Sequence, residues 1–406
     1  MQLSLPIEPS PREHPELRRG ARRHVVAGLF AGVGGIERGL TRAGHETALL
    51  CELDPAAAAV LEEHFPDIAR HDDVRTLRSL PSDLTLLAAG FPCQDLSQAG
   101  MTAGIDGARS GLVMEVFRLL RRRRVPWVLL ENVPFMLHLG KGRALEVVVS
   151  ELERLGYRWA YRVVDARAFG LPQRRERVYV VAALDEDPRA VLFADEIGPP
   201  PEDEGDQPRN GDSAFGFYWT EGLRGLGWAA DAVPTLKGGS SVGIPSPPAI
   251  WLPSGSIVTP SIRDAERLQG FPKDWTKPAE LVARPGVRWK LVGNAVCVPV
   301  AAWIGQRLAR PGDAHELPSR GLPIGSPWPR AAWNVGKGRR TAPFSAWPKR
   351  SRPRPLLEFL GEPTVPLSYK ATAGFYTRAR QSSLRFAPGF LAAVRAHMER
   401  MGRAAR

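Results

Sequence analysis

Between His24 and Leu184, short apolar runs alternate with amphipathic stretches of helical period, and this alternation restricts the fold more than any other feature of the chain. Val25-Val26-Ala27-Gly28-Leu29-Phe30 reads as a buried strand, followed by the glycine turn Ala31-Gly32-Val33-Gly34-Gly35 and a helix through Leu40. Ala48-Leu49-Leu50-Cys51 is a second strand, ending at Glu52 and Asp54. Pro55 then opens a helix, in whose first turn its missing N–H costs nothing. Leu84–Ala89 reads as a strand, Leu112–Leu120 as a helix, and Trp127-Val128-Leu129-Leu130 as a strand ending in Glu131-Asn132-Val133. Ala144–Leu155 is helical, and Tyr161–Val164 and Arg177–Ala183 are strands. Apolar strands joined by helices imply an α/β fold, a doubly wound and mostly parallel sheet. Ligands of such sheets sit at the carboxyl ends of the strands, where the polar motifs of this chain also fall.

The pattern divides the chain of 406 residues, long enough for two or three domains. Residues 1–23 are polar and rich in Pro and Arg, and read as a loose arm. Residues 24–184 carry the alternating pattern. Residues 185–256 are rich in Pro, Gly, acidic and aromatic residues with little periodicity, as in a small separate domain or a long insertion. Regular pattern returns over 257–310, with helices at Thr259–Gln269 and Val298–Leu308. Residues 311–406 form a third region, basic, with scattered tryptophans such as Trp333 and Trp347 and a closing amphipathic helix over Pro388–Arg403.

Lys and Arg outnumber Asp and Glu by 55 − 43 = 12. That excess suits a polyanionic partner, nucleic acid first, although an Arg-rich composition gives the same sum. No apolar run approaches the ~20 residues of a membrane span, and the N-terminus lacks a signal-peptide pattern. Cys51, Cys93 and Cys297 are the only cysteines, too few for a disulfide framework, and no Cys/His cluster points to zinc. A cytoplasmic protein with neither membrane nor metal is expected.

Phe91-Pro92-Cys93-Gln94 follows the strand Leu84–Ala89 on a stiff turn. The tetrapeptide suits a nucleophile, and equally a buried inert thiol. The turn after the first strand differs from a dinucleotide fingerprint, because Glu37 stands where GxGxxG has its third glycine. A carboxylate there would repel a pyrophosphate, whereas a ligand without phosphates, such as S-adenosylmethionine, meets no such objection. Glu52 can accept from ribose hydroxyls, and Asp73 from an adenine amino group. Glu131, at the end of a buried strand, is a candidate acid whose pKa burial would raise. Gln173-Arg174-Arg175-Glu176-Arg177 runs straight into the apolar strand Val178–Ala182, so at least one guanidinium must point inward and find an anionic or carbonyl partner.

Taken in order, the glycine turn, Cys93, Glu131 and the Gln173–Arg177 run resemble the motifs of the DNA cytosine-5 methyltransferase family. Arg263-Asp264-Ala265-Glu266-Arg267-Leu268-Gln269-Gly270-Phe271-Pro272 and Leu291-Val292-Gly293-Asn294-Ala295-Val296 resemble its last two motifs. The resemblance spans 24–310 except 185–256. It implies a Rossmann-like S-adenosylmethionine-binding domain over 24–184, a target-recognition domain over 185–256, a return to the catalytic domain over 257–310 and a C-terminal extension over 311–406. It further implies that a cytosine is flipped out of double-stranded DNA. Cys93 would attack C6, Glu131 would protonate N3, Arg177 would bind O2, and Arg175 would position the catalytic loop or the flipped base's backbone. The implied cofactor pocket is Phe30, Gly32, Gly34, Glu52, Asp73, Pro92, Leu112, Asn294 and Val296. Gln94, Ser97, Gln173, Thr235 and Arg263 would contact the nucleic acid, and Gln94–Arg109 would be the closing loop.

Two departures from the pattern stand out. Asp95-Leu96-Ser97 replaces the usual Pro-Phe-Ser or Ala-Phe-Ser, and 311–406 lies beyond the family's usual extent, with Arg, Lys and Trp residues suited to DNA or to docking another protein. A tRNA-modifying relative would carry a Cys-Phe-Thr element, yet no cysteine lies between Cys93 and Cys297. A non-catalytic relative would have lost Cys93 or Glu131. A cognate restriction or defence-system partner and a nucleoid-associated location are implied as well.

Overall fold

The structure is a computed structural model that describes residues 20–92, 111–199, 213–238, 246–352 and 354–404. Its frame is a sheet of ten strands among the described residues. In chain order the first are β1 (Val25–Leu29), β2 (Glu46–Cys51), β3 (Ala69–His71), β4 (Leu86–Ala89) and β5 (Trp127–Asn132). They pair in parallel in the order β3-β2-β1-β4-β5. The four residues of β4 are all buried, the continuous apolar pattern of a strand covered on both faces. Beyond β5 the strands run antiparallel. β6 (Arg158–Asp165) and the two-residue β7 (Gln173–Arg174) precede β8 (Glu176–Ala183), which inserts between β5 and β6. The chain reverses its direction of winding between β1 and β4, the crevice where doubly wound sheets hold ligands.

Helices cover both faces. Val113–Arg122 and Arg143–Arg154 contribute to one apolar core, and Gly35–Arg42 with Val298–Ala309 to the other. The helix Val298–Ala309 thus lies beside the first helix although it is remote in sequence, as the position of Val296 in the last motif requires. Val287–Ala309 has the length and hydropathy of a membrane span, but most of it is buried within the protein.

The middle of the chain supplies β9 (Phe215–Phe217), β10 (Ala229–Ala230), β11 (Val233–Pro234), β12 (Ala249–Trp251) and β13 (Ile257–Thr259). β11 pairs in parallel with β7 in a two-stranded sheet of their own, which brings this half against the chain leading into β8. The others form a second sheet, and the C-terminal region completes it.

That region departs most from expectation, because 311–406 is divided between the two sheets. β14 (Arg320–Gly321), β15 (Ala331–Asn334) and β16 (Arg339–Thr341) continue the large sheet past β6, so the edge of β6 is paired rather than open. β17 (Val365–Pro366) pairs with β13, giving the order β10-β9-β12-β13-β17, and the helices Tyr369–Gln381 and Phe390–Ala404 pack on that small sheet. Trp333 and Trp347 are buried at 5% and 8% exposure and cannot stack on bases. Strands of two to four residues carry too little periodicity to reveal this division.

Candidate functional site

The first glycine turn is a left-handed loop at the end of β1. Phe30, Gly32 and Gly34 have φ of 54°, 56° and 80°. For Phe30 this conformation costs roughly 1–2 kcal/mol, and non-glycine residues held this way cluster at functional sites. The Ala31 N–H donates to the Cys51 carbonyl (3.1 Å), which locks the turn onto β2. A Cβ on Gly32 would meet nothing within 4 Å, so open space lies against the backbone there. The Gly32 N–H donates to one Glu52 oxygen (2.7 Å), and the Asp54 N–H donates to the other (2.8 Å). Burial pushes the Glu52 pKa up, against the pull of these donors.

Glu37 does not face this space. Its side chain is 1% exposed and packs behind β1 against Gly28, with neither carboxylate oxygen hydrogen-bonded among the described residues. Burial pushes its pKa up to about 7. Glu37 therefore does not point into the turn, although its charge still bears on Glu52 there. Asp73 follows β3, where its carboxylate binds Arg75 (2.6 Å) and accepts the Arg75 N–H (2.9 Å).

Glu131 ends β5 at 8% exposure, and its Oε1 lies 3.1 Å from the Arg177 Nε. Burial is the largest influence on its pKa and raises it, while the Arg177 and Arg175 charges oppose the rise. A Cβ placed on Gly90 would lie 3.6 Å from Glu131 Oε2 and 3.9 Å from both Ile36 and Val296. The ends of β4 and β5, the first helix and the last motif therefore converge immediately before the cysteine tetrapeptide. Asn132, which sequence reasoning passed over although it adjoins Glu131, donates to the Phe91 carbonyl (2.9 Å) and holds the approach to Pro92. Phe91 is buried and Pro92 is exposed. Cys93, Gln94 and Ser97 lie outside the described residues, as does the loop Gln94–Arg109. Leu112 precedes the helix Val113–Arg122 and is half-buried.

Gln173, Arg175 and Arg177 share one side of the run but meet different partners. Arg177 turns to Glu131, whereas Arg175 and Gln173 turn into the protein. Arg175 is 1% exposed and donates to the carbonyls of Leu236 (3.1 Å), Gly293 (3.2 Å) and Ala295 (2.7 Å). Gln173 donates to the Leu268 carbonyl (2.8 Å) and accepts the Leu236 N–H (3.0 Å). Gln173 is fully buried with its amide engaged, which corrects the expectation that it contacts nucleic acid. The guanidinium of Arg175 finds the carbonyl partners that an inward arginine needs, and they join the small sheet's half to the last motif. That junction is tight, since a Cβ on Gly293 would overlap the Lys237 backbone. Asn294, at the end of the helix Val287–Asn294, is exposed, and Val296 is buried.

Thr235 follows β11, and its hydroxyl donates to the Arg174 carbonyl (2.7 Å). With Pro134, Arg167, Arg174, Glu176 and Arg177 it lines a cleft of about 370 Å³. Arg174 adds positive charge there, whereas Arg167 is paired with the buried Asp165 (2.8 Å). Arg263 differs from expectation. Its guanidinium pairs with Asp274 (2.9 Å) and Glu362 (3.4 Å), so a phosphate would have to displace two carboxylates. Among the described residues no group of three or more His, Cys, Asp or Glu side chains could hold a metal ion.

The description "C-5 cytosine-specific DNA methylase" matches residues 25–210 and 258–310. The chain is 49% identical over 376 residues to the Type II methyltransferase M2.BsuMI of Bacillus subtilis (strain 168), covering 90% of this chain and 96% of that one. It is 27% identical over 302 residues to the Type II methyltransferase M.MspI of a Moraxella species, covering 69% of each. Among solved structures, the S. pombe Dnmt2 methyltransferase superposes with a TM-score of 0.52 at 17% identity, covering 70% of this chain and 98% of that chain. The Entamoeba histolytica methyltransferase EhMeth gives 0.51 at 16% identity, with 71% and 98% covered. At such identities the structures speak for the fold alone. The matched motifs and the relative of nearly equal length carry the assignment: the chain belongs to the C-5 cytosine-specific DNA methylase family.

Proposed function

We propose that the protein methylates C5 of a cytosine flipped out of a specific site in double-stranded DNA, with S-adenosylmethionine as the donor and Cys93 as the nucleophile. The observation that carries this reading is the nearly buried Glu131–Arg177 pair, 3.1 Å apart, at the strand end beside Phe91-Pro92. A carboxyl whose pKa burial raises can hold a proton and give it to cytosine N3, and the Arg177 guanidinium can hold O2. Together they withdraw electrons from the ring and make C6 electrophilic. Cys93 adds to C6 as a thiolate, which turns C5 into an enamine carbon. Loss of the C5 proton and β-elimination later release the thiol.

The residues of the first turn fit the donor. Gly32 leaves open space beside the Glu52 carboxylate and gives its N–H to that carboxylate, which suits a ligand with hydroxyl groups better than a pyrophosphate. Glu52 would hold the ribose, Asp73 the adenine, and Phe30, Gly34, Pro92, Leu112, Asn294 and Val296 the walls. When bound, S-adenosylmethionine supplies an electrophilic methyl group to C5. Thr235 and Arg174, at the cleft, would hold the DNA backbone.

The Type II methyltransferase names of the relatives support a role in restriction-modification or phage defence. Bisulfite sequencing of DNA from cells expressing the protein identifies the target site. A duplex carrying 5-fluorocytosine at that site then tests the chemistry. The wild type should form an SDS-resistant adduct that Cys93→Ser does not, while Cys93→Ser still binds DNA. Absence of the adduct from the wild type refutes attack at C6.

A further inference from the structure

The C-terminal region reaches the cleft through an unbroken series of contacts. The helix Tyr369–Gln381 is fixed to the small sheet by Phe375, which is fully buried with its ring centroid 5.1 Å from that of Phe217 on β9. From this platform Arg378 reaches over the loop that follows β9. Its Nε donates to the Glu221 carbonyl (2.9 Å) and its Nη2 to the Trp219 carbonyl (2.8 Å). The Glu221 carboxylate pairs with Lys237 Nζ (2.9 Å), which sits 3.7 Å above the Tyr218 ring. The Tyr218 hydroxyl donates to the Thr235 carbonyl (2.7 Å), and Thr235 lines the cleft with Arg177.

We propose that Arg378 is a positioning residue for DNA recognition, and that the C-terminal region is a working part of the target-reading half rather than an appendage. This inference rests on the function proposed above. Two charge-assisted bonds from one guanidinium hold both ends of the turn Trp219–Glu221. That turn in turn holds Lys237 and Tyr218, and through them the backbone at Thr235. Arg378 touches neither the cofactor site nor the Glu131–Arg177 pair. Its loss should therefore weaken productive DNA binding and leave the chemical step and donor binding alone.

A double-mutant cycle tests this. Arg378→Gln should raise KM for a duplex carrying the target site by about tenfold, with kcat and KM for S-adenosylmethionine each within about twofold. Because the effect passes through the Tyr218 hydroxyl, the effects of Arg378→Gln and Tyr218→Phe should not add, and the double variant should be about as impaired as the worse single variant. A wild-type KM for DNA in Arg378→Gln, or additive effects in the cycle, overturns the proposal. If Arg378→Gln melts below the assay temperature, Glu221→Ala replaces it. That exposed change removes the carboxylate that pairs with Lys237 without touching the helix, and its cycle with Tyr218→Phe has the same two outcomes. Wild-type adduct formation on 5-fluorocytosine DNA is measured alongside. Failure of the adduct refutes the function, whereas an adduct with an additive cycle refutes only the role of Arg378.

Discussion

Replacing Glu131 by glutamine probes the centre of the proposed chemistry. The carboxylate and Arg177 are 3.1 Å apart and expose only 10% and 12% of their side chains, so salt screens them little. At an effective dielectric of about 20, unit charges at that distance attract by about 5 kcal/mol. The pKa of Glu131 is nonetheless raised, so burial outweighs the attraction of both arginines. The group is poised to keep a proton that an exposed glutamate would have lost. Glutamine preserves the shape and can still accept from Arg177 Nε, so the fold should lose no more than about 1–2 kcal/mol. It has no acidic proton, and loss of a general acid of this kind removes about 10²–10⁴ in rate, or about 3–5 kcal/mol of barrier. The assay is single-turnover transfer of tritiated methyl groups to duplex DNA across pH. Glu131→Gln should lower the rate by at least about a hundredfold while KM for DNA changes less than about tenfold. The wild-type rate should fall as pH rises through the elevated pKa of Glu131, and that limb should vanish in the variant. A rate for Glu131→Gln within tenfold of wild type, with the wild-type pH limb retained, would refute the assignment of Glu131 as the proton donor.

The remaining predictions concern stability and DNA contact. The His24 imidazole is held neutral by burial and by the neighbouring His45 imidazole, which outweigh the Leu308 backbone and Glu186; its pKa falls from 6.5 to about 4. The stabilisation linked to this depressed pKa is present above pH 6.5 and is lost as pH falls toward about 4, so urea midpoints should drop over that window in the wild type and less in His24→Asn. Arg174→Ala, at the cleft, should reduce the slope of log DNA affinity against log salt by about 0.9, and Arg263→Ala, already paired with two carboxylates, should leave it unchanged. Equal slopes would contradict these placements. Trp333→Ala should destabilise the large sheet by about 3–5 kcal/mol and lower the melting temperature, whereas a loss of DNA affinity without a loss of stability would contradict its burial.

The motifs that lie at strand ends could be read from the chain itself. The glycine turn, Glu52, the Phe91-Pro92 approach and Glu131 each follow an apolar run long enough to be buried on both faces, and the pattern of a doubly wound sheet puts such ends on one side. The partners of the Gln173–Arg177 run could not be read. Alternation puts Gln173, Arg175 and Arg177 on one side, with Arg175 in the break between β7 and β8, and only the packed structure decides that Arg177 meets Glu131 while Gln173 and Arg175 meet backbone carbonyls. The direction of Glu37, packed behind β1 and not into the turn, was likewise decided by the packing.

What the sequence by itself determined is therefore the fold class and the order of the chemical groups, because both depend on local periodicity and on which residue types stand at strand ends. Only the tertiary structure decided what the C-terminal region is. Its strands are two to four residues long, and β15 and β17 join the sheets by pairing with β6 and β13, more than a hundred residues earlier in the chain. Such pairing is specified by the edges those strands cover, and an open edge has no signature in a single sequence.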